Sequence, residues 1–391
     1  MKILYIHQYF KTPIEGGAIR SYYIAKGMCE AGHEIMMITT HNKKRYEEKN
    51  IEGITVHYLP VKYYNHFGFF RRLYSYLLFA NKAYFLSNKL NNPDLAYITS
   101  TPLTVGLTAL MLKKKYKIPY IFEVRDLWPE APIQIGAIRS GLFKYITRKL
   151  EKEVYRNASK IVTLSPGIYD LILQSNQDKP LHFCPNLSDC QFFEITETKN
   201  RALMEKHNIG NAFVISYFGA IGNANSLEFY LSAAKSAEKA DLNIKFLLIG
   251  EGAKLNSLKI LAKKLHLENV IFIPHMNKYD LKTYLSITDA AYISFADYPV
   301  MELNSPNKFF DAIASGKLVI TNTTGWIKDL IEQNKCGFYL NPAHPDHISS
   351  LIRPFLEDSQ LKLYQRNARN LAETTFEKDM LISKLLDFVT D

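Results

Sequence analysis

The sequence predicts an α/β fold of two Rossmann-like domains that face a central cleft. Its 391 residues exceed what one ordinary core holds, and 47% of them are hydrophobic, enough for two buried cores. Apolar segments of strand length alternate with helix-length segments, and this alternation restarts after about residue 192. We therefore expect one domain at 1–190, a second at 191–370, and a C-terminal helix within 371–391 that crosses back to the first domain.

The first half opens with a β-loop-α-β unit, which is typical of a parallel sheet covered by helices. An apolar segment at 3–10 leads into a Pro/Gly loop at 13–17 and a helix-like stretch from Ala18 to Ala31, which Gly32 ends. Further strand candidates in this half are EIMMITT, ITVHYL, LAYITS, YIFEV and KIVTLS.

The second half repeats this organisation after a hinge predicted between Pro185 and Arg201. Helices are expected at 227–239 and 253–265, and a final helix at 377–389 follows the completed second sheet. The strand candidates of this half are VISYF, KFLLIG, VIFIP, AAYISF and KLVITN.

Composition and charge narrow the class of protein. The N-terminus lacks the pattern of a signal peptide, no apolar run reaches about 18 residues, and the four cysteines have no metal-ligand spacing. These features predict a cytoplasmic protein with reduced thiols. Residues 1–190 carry 26 Lys+Arg against 15 Asp+Glu, a balance of +11 within a total of +10. We expect this half to face an anionic partner, although no nucleic-acid reader motif is present.

The most informative stretch is SPNKFFDAIASG at 305–316, which precedes an apolar strand. Ser305 suits a helix N-cap, Pro306 the first helical position, and Gly316 the end of the helix. The start of a helix offers unpaired N–H groups and the positive end of the helix dipole, which together favour a diphosphate.

Three polar residues fall in the first turns of this predicted helix. Asn307 and Lys308 lie beside the expected diphosphate, and Lys308 adds a positive charge. Asp311 would accept hydrogen bonds from two ribose hydroxyls. The alternative is a capped surface helix on which Lys308 and Asp311, three residues apart, form an ion pair.

Glycine-rich turns support a phosphate ligand because glycine lets the backbone approach it closely. Gly16 and Gly17 lie at a strand-to-helix turn of the first half, and Gly219 lies at the equivalent turn of the second. Neither turn is a G-x-G-x-x-G or Walker A sequence, so each alone is equally consistent with an ordinary turn.

Two further segments suggest function. EVRDLWPE at 123–130 places Arg125 and Asp126 at the end of a strand, where α/β proteins bind ligands, although the two side chains could instead form a structural ion pair. Residues 62–90 contain no acid, five Lys/Arg and ten Tyr/Phe. That composition is typical of a segment at a membrane interface, or of an aromatic helix packed on the first sheet.

Taken in order, these motifs resemble the GT-B glycosyltransferases of family 4 over nearly the whole chain. Besides the glycine turns and Arg125-Asp126, the matching segments are LSPGIYD, CPNLSD, IGEGAKLNSLKILAKKLHLENVIFIP and SPNKFFDAIASGKLVITNTTGW. The last segment resembles the nucleotide-sugar motif of the subgroup around the N-acetylfucosaminyltransferases of O-antigen and capsule assembly.

The resemblance implies a retaining, metal-independent hexosyltransferase-type enzyme without a cofactor, which takes a sugar from a UDP-sugar. The implied acceptor is a lipid-diphosphate-linked saccharide at the anionic inner face of the membrane, in cell-surface polysaccharide assembly. Arg125, Asp126 and Lys308 would border the reaction. The donor residues it implies are Gly16, Gly17, Gly219, Asn223, Gly250, Glu302, Ser305, Pro306, Asn307, Lys308 and Asp311.

The chain departs from the family pattern at two points. In the family's E-x7-E pair, the second position is Asp311 here but the first is Leu303, and Glu302 is one residue out of register. Asn223 and Asn225 stand where an arginine is usual. These departures leave two alternatives open: a transferase with a soluble acceptor, and a non-catalytic subunit that binds a sugar nucleotide.

Overall fold

Two twisted sheets, each covered by helices on both faces, form the molecule. The computed structural model describes residues 1–17, 19–64, 67–90, 92–196 and 198–391. The first sheet contains the strands β1 Lys2–Ile6, β2 Glu34–His41, β3 Glu47–Ile51, β4 Ile54–Pro60, β5 Leu95–Thr99, β6 Tyr120–Val124, β7 Lys160–Thr163 and β8 Leu181–Phe183. Their order across the sheet is β3-β4-β2-β1-β5-β6-β7-β8, and all neighbours are parallel except β3 and β4.

The helices of the first domain fill the connections between these parallel strands. They are α1 Arg20–Glu30, α2 Phe69–Ser87, α3 Val105–Tyr116, α4 Glu130–Gln134, α5 Gly141–Asn157 and α6 Pro166–Ser175. The predicted first helical residue, Ala18, lies outside the described residues. The predicted first strand is shorter than expected, because the chain turns after Ile6 and His7 to Phe10 form part of the cleft-facing loop.

The second sheet is parallel throughout, in the order β11-β10-β9-β12-β13-β14. Its strands are β9 Phe213–Phe218, β10 Ile244–Ile249, β11 Val270–Ile273, β12 Ala290–Ile293, β13 Leu318–Thr321 and β14 Gly337–Tyr339. The helices that follow β8 are α7 Arg201–Lys206, α8 Glu228–Lys239, α9 Leu255–Lys264, α10 Lys278–Ser286, α11 Asn307–Ala314, α12 Trp326–Gln333, α13 Ile348–Ile352, α14 Asp358–Thr375 and α15 Lys378–Thr390.

The burial of the strands explains why this fold forms. Every residue of β5, β6, β9, β12 and β13 is buried, as expected for strands covered by helices on both faces of a parallel sheet. The predicted fold class is therefore confirmed. The sequence analysis missed β3, β8 and β14. β3 is polar and lies at one edge of the first sheet, while β8 and β14 are only three residues long and lie at the other edge of that sheet and at an edge of the second.

The last helix packs on the first domain although the chain enters it from the second. A Cβ atom on Gly27 of α1 would lie 2.4 Å from Ile382 of α15, so the two helices are in direct contact. At the start of α15, Phe376 and Lys378 are hydrogen-bonded to Ser188, which lies on the connection between the two sheets. The polypeptide therefore crosses between the domains twice, and the two crossings run side by side.

Helix α2 occupies most of the aromatic and basic segment at 62–90, of which Asn65 and His66 lie outside the described residues. It packs Tyr76, Phe79 and Ala83 inward, while Phe70 is 83% and Tyr74 65% exposed. Leu77 and Phe85 are exposed, whereas Leu73 and Leu78 are half-buried. None of the described helices is both long and apolar enough to cross a bilayer.

Candidate active site

A cavity of about 530 Å³ lies between the domains at the N-terminal end of α11, and we call it the α11 cavity. The second domain supplies most of its wall, from the loops after β9, β10, β11 and β12. The first domain closes it with Gly17 and Asp126. Nine residues of the implied donor and reaction sites line it: Gly17, Asp126, Gly219, Gly250, Ser305, Pro306, Asn307, Lys308 and Asp311.

The predicted start of this helix needs a correction. Helix α11 begins at Asn307, and Pro306 occupies the N-cap position with an extended backbone and no side-chain cap. The Ser305 hydroxyl does not cap the helix because it accepts a hydrogen bond from the backbone N–H of Asn186, on the interdomain connection, at 3.3 Å. The first N–H groups of α11 consequently have no side-chain cap and face the cavity.

Lys308 points across the cavity rather than along its own helix. Its Nζ donates to the hydroxyl of Tyr217 at 2.9 Å and lies 4.2 Å from the centroid of that ring. Burial lowers the pKa of Lys308 to about 7, because it removes the ammonium group from water and no described carboxylate pairs with it. An anionic ligand at the helix start would supply the missing charge.

Asp311 does not pair with Lys308, so the ion pair considered from the sequence is wrong. Its carboxylate lies 3.1 Å from Nζ of Lys278, the first residue of α10. Burial raises the pKa of Asp311, and the neighbouring Lys278 opposes that rise. The Lys278 ammonium is also within 4.9 Å of the centroid of the Phe193 ring, so it is a buried, well-surrounded cation. Asp311 therefore reaches the cavity already hydrogen-bonded.

Glycine is required where the two sheets' loops approach the cavity. At Gly250, φ is +148° and a Cβ atom would lie 1.9 Å from the carbonyl oxygen of Gly219. At Gly219, φ is +140° and a Cβ atom would lie 3.4 Å from the Lys308 side chain. Gly16 is buried against the backbone of Asn277, across the cleft, while Gly17 has open space on its cavity side.

The Arg125–Asp126 segment is split between two partners, so these residues do not form the ion pair considered from the sequence. Asp126 accepts a hydrogen bond from the Thr101 hydroxyl at 3.1 Å. Arg125 donates to Nε2 of His7 at 3.4 Å, because an arginine has no acceptor. The proton of the neutral His7 ring is therefore on Nδ1, which donates to the Ser21 hydroxyl oxygen. Burial and the Arg125 charge hold the pKa of His7 well below its usual value, so its ring is neutral.

Two other carboxylates of the first domain have structural roles. Glu123 is fully buried and forms an ion pair with Arg20 at 2.9 Å, and it also accepts hydrogen bonds from Thr99 and Tyr97. Glu15 folds back to bond the backbone N–H of Thr12 at 2.9 Å. Among the carboxylates of this domain that the sequence suggested, only Asp126 lines the α11 cavity.

Two predicted donor residues face away from the cavity. Glu302 accepts a hydrogen bond from the Thr324 hydroxyl at 2.6 Å and lines a separate cavity of about 310 Å³ in the second domain. Asn223 is exposed, while Asn225, two residues later, lines the α11 cavity. Leu303 points to the first domain, where it meets Gly167.

A second, larger cavity opens on the first-domain side and was not predicted. It measures about 870 Å³, and we call it the tyrosine chamber because Tyr9, Tyr63, Tyr64 and Tyr76 line it. Gln8 also lines it; its side chain is buried, and both polar atoms of its amide lack a protein partner. A buried amide of this kind calls for a hydrogen-bonding ligand or water. No local motif signals it, because its residues come from six separate segments.

A third cavity, of about 440 Å³, lies beneath α2 and between α4 and α5, and we call it the α2–α5 cavity. Its wall is apolar and includes Leu73, Trp128, Ile135, Phe143 and Leu150. Asp126 and Asn304 line both this cavity and the α11 cavity. Asn304 was also missed from the sequence, although it directly precedes the predicted motif.

The described residues include one group with metal-binding potential: the exposed side chains of His344, Asp346 and His347, whose ligand atoms lie within 4.8 Å of one another. None of the three lines the α11 cavity, the tyrosine chamber or the α2–α5 cavity.

Comparison with known families divides the chain into two matched segments. Residues 15–186 match the glycosyl transferase 4-like domain, and residues 199–373 match the glycosyl transferases group 1. The first segment covers β2 to β8 and the second covers β9 to β14, while β1 and α15 lie outside both.

Individual relatives are distant but cover the chain. The alpha-monoglucosyldiacylglycerol synthase of Streptococcus pneumoniae is 22% identical over 366 residues, covering 88% of this chain and 78% of that protein. The sucrose-phosphate synthase of Thermosynechococcus elongatus superposes with a TM-score of 0.76 at 15% identity, covering 100% of this chain and 98% of that one. HepE of Anabaena, solved with UDP and glucose, superposes with a TM-score of 0.73 at 17% identity, with complete coverage of both chains.

Proposed function

The chain belongs to the family 4 glycosyltransferases and transfers a sugar from a nucleotide sugar, and we propose that its donor is a UDP-sugar and its acceptor a lipid-linked saccharide. We further propose that it retains the anomeric configuration, needs no metal ion, and acts as a hexosyltransferase in cell-surface polysaccharide assembly. Residues 1–190 would bind the acceptor, and residues 191–370 the donor.

One observation carries the donor proposal: the start of α11, which has no side-chain cap, and Lys308, whose ammonium has no described carboxylate partner, line the same cavity. Both favour an anion, and together they suit a diphosphate better than a single charge would. Lys308 would then take the place that a metal ion holds in other nucleotide-sugar sites. HepE, which shares the fold, was solved with UDP and glucose, and this supports UDP as the nucleotide.

The sugar would react on the face from which the diphosphate leaves. The acceptor oxygen would bond to the anomeric carbon as the bond from that carbon to the β-phosphate oxygen breaks. The acceptor's proton would pass to the departing phosphate oxygen, so no enzyme nucleophile is needed. Lys308 and the α11 N–H groups would stabilise the charge that develops on the diphosphate.

The arrangement of carboxylates supports this same-face reaction. Leu303 occupies the first position of the E-x7-E pattern described above, and Glu302 accepts a hydrogen bond from Thr324 outside the α11 cavity. Glu123 is buried in its ion pair with Arg20 and does not line the α11 cavity. Asp126 would therefore orient the acceptor hydroxyl, with Arg125 held beside it by His7.

The tyrosine chamber suits the saccharide part of the acceptor. Tyrosine rings provide apolar faces with polar edges, and sugars present the same mixture of apolar and hydroxylated surfaces. The buried amide of Gln8 has two donors and an acceptor for sugar hydroxyls. Thr101 lines this chamber and also donates to Asp126, so the chamber begins beside the proposed reaction centre.

A peripheral position on the inner face of the membrane is also proposed. Phe69, Phe70 and Tyr74 of α2 and Leu142, Tyr145 and Ile146 of α5 are exposed, and we call them the aromatic face. The ring centroids of Phe69 and Phe143 are 5.9 Å apart, so the N-terminal ends of α2 and α5 lie side by side. The +11 charge of residues 1–190 would attract anionic lipid.

The proposal is tested by binding and turnover together. We expect UDP to bind by calorimetry without added metal and with chelator present, and a panel of UDP-sugars with a polyprenyl-diphosphate-linked saccharide to give a product of retained configuration. Product formed only with a water-soluble acceptor would replace the lipid-linked acceptor.

Leu303 in the glutamate register favours one other function, a non-catalytic subunit that binds a sugar nucleotide. That function predicts UDP-sugar binding in the same calorimetric experiment, with no turnover of any donor in the panel. Product release by the isolated chain would exclude it.

A further inference from the structure

The α2–α5 cavity is more apolar than an acceptor sugar needs. The side chains that line it are aliphatic or aromatic over most of its wall, and two of its few polar side chains, Asp126 and Asn304, also line the α11 cavity. Its volume of about 440 Å³ lies within the range of about 300–1,000 Å³ usual for small-molecule sites.

The inner end of this cavity lies directly at the proposed reaction centre. Asp126 and Asn304 line both it and the α11 cavity, so the two cavities are adjacent there. Met301 and Ala224 of the second domain complete the apolar wall. The cavity is therefore formed by both domains together.

The outer end of the cavity reaches the aromatic face. Phe69 lines the cavity and is partly exposed, and Phe143 lines it from the start of α5. Arg72 of α2 also lines it, which adds a positive charge to an otherwise apolar opening. An amphiphile with a hydrocarbon chain and an anionic head has the chemistry that this combination of groups recognises.

We propose that the α2–α5 cavity binds the hydrocarbon chain of the acceptor lipid where that chain joins its phosphate. This inference rests on the proposed function and narrows its substrate. Because the apolar wall begins at Asp126, the accepting hydroxyl lies close to the lipid. The acceptor is therefore a lipid phosphate or diphosphate that carries a short saccharide, and the enzyme acts early, before a long glycan is built. A reaction that places the first sugar on the lipid must supply this substrate.

The test uses Trp128, which lines the cavity and is one of two tryptophans in the chain. In a Trp326→Phe background, Trp128 is the sole tryptophan reporter. A bromine-terminated decyl phosphate, kept below its micelle concentration, should quench Trp128 fluorescence saturably. Inorganic phosphate should not quench, because it lacks the chain that carries the bromine into the cavity.

Filling the cavity should abolish this binding without touching the donor site. Ala131→Phe on α4 places a ring inside the cavity, and we expect at least a tenfold loss in apparent affinity for the decyl phosphate. Ile135→Phe provides a second variant of the same wall if the first folds poorly. Ala202→Phe, on exposed α7, is the matched control and should quench like the parent. UDP affinity should be unchanged in all three.

Each outcome separates the cavity from the transferase proposal. Equal quenching in Ala131→Phe and in the control would overturn the cavity assignment, even with normal UDP binding and turnover. Stronger quenching by a brominated diacylglycerol than by the decyl phosphate would overturn the single-chain anionic lipid. Turnover that improves as sugars are added between lipid and accepting hydroxyl would overturn the early step. Loss of UDP binding in the parent would instead contradict the donor proposal.

Discussion

Lys308 shows how a single residue couples charge to ligand binding. Its ammonium donates to a neutral tyrosine and is not matched by a carboxylate, so burial brings its pKa to about 7. A bound diphosphate would favour the charged form and raise that pKa.

Above about pH 7, Lys308 should therefore take up a proton when UDP binds. At about pH 8 the free site is mostly neutral at Lys308 and the complex is protonated, so UDP affinity should fall as pH rises through this window. Calorimetry in two buffers of different ionisation heat measures the proton directly. In Lys308→Met the uptake due to this residue should vanish, and affinity should drop about 10–150-fold, since a charged hydrogen bond contributes about 1.5–3 kcal/mol. Proton uptake equal to that of the parent would contradict this role.

Asp126 should matter to turnover more than to donor binding. Asp126→Asn keeps the shape and the acceptor oxygen for Thr101 but removes the charge that would orient the accepting hydroxyl. We expect kcat to fall on the order of 100-fold, the effect of a misplaced reactant, with UDP affinity nearly unchanged. Thr101→Ser, which preserves the hydroxyl donor, is the control and should retain most activity. A variant that loses UDP binding and kcat in parallel would place Asp126 in the donor site instead.

The residues that could be predicted from the sequence are those on regular helices and at strand ends. Lys308 and Asp311 were placed at one helix start, and Asp126 at the end of β6, and all three line the α11 cavity. Glu302 and Asn223 were misplaced because each lies in a short 3-10 helix, Pro299–Leu303 and Asn223–Asn225. Such a helix turns about 120° per residue, so one position decides which cavity a side chain faces. The partners Lys278 and Gln8 come from remote segments and give no local signal.

At the scale of elements, α1 is fixed to the sheet and to the interdomain connection by one side chain. Arg20 pairs with Glu123 at the end of β6 and also donates to the carbonyl oxygens of Cys184 and Pro185. Because the Nε, Nη1 and Nη2 atoms of Arg20 all have hydrogen-bond partners, this buried side chain fixes the orientation of α1, the helix that follows the Gly16-Gly17 turn. The pair is thus a structural feature, although a strand-end glutamate beside Arg125-Asp126 looks catalytic from the sequence.

Glu123→Gln should lower stability much more than it lowers catalysis. Removing one partner leaves the Arg20 charge buried and uncompensated, which costs about 3–5 kcal/mol. Urea unfolding should show this loss, while kcat per folded molecule should remain near that of the parent. The double variant Arg20→Met/Glu123→Leu should lose less than the sum of its single changes. Full stability with abolished turnover would assign Glu123 a chemical role.

The elements that the sequence missed share one property. β3, β8 and β14 each lie at an edge of a sheet and have a single neighbouring strand, and β8 and β14 are only three residues long. Hydrophobic pattern predicts strands because burial on two faces demands it, and edge strands are released from that demand. The central strands of both sheets were therefore predicted with nearly correct bounds.

For the whole molecule, charge and exposed apolar side chains coincide on the first domain. Residues 1–190 have a balance of +11 and also carry the aromatic face of α2 and α5. Electrostatic attraction and apolar insertion would then act on the same side of the molecule. Residues 191–391, with 22 Lys+Arg and 23 Asp+Glu, carry no such excess, so the second domain would remain above the surface.

Vesicle sedimentation should reveal this orientation. Protein should bind vesicles with anionic lipid, and added salt should weaken binding because it screens the basic side chains. Phe70→Ser and Tyr74→Ser should each reduce partitioning, since inserting one aromatic side chain is worth about 1.5–3 kcal/mol. Arg71→Ala should weaken binding and reduce its dependence on salt. Tyr279→Ser, an exposed tyrosine of the second domain, is the control. Equal binding by all variants would contradict the aromatic face as the membrane contact.

The paired crossings at Ser188 determine how the two domains can move. The backbone N–H of Ser188 donates to the carbonyl oxygen of Phe376 at 2.8 Å, and its carbonyl oxygen accepts from the N–H of Lys378 at 3.1 Å. The two segments of the polypeptide therefore form a short two-stranded ribbon. A ribbon bends easily across its flat face but resists shear within its plane and twisting about its length. The cleft should therefore open and close by a hinge motion about one axis that passes through this ribbon. Each closure would return Gly17 and Asp126 to the same register against α11, without a search through other relative orientations.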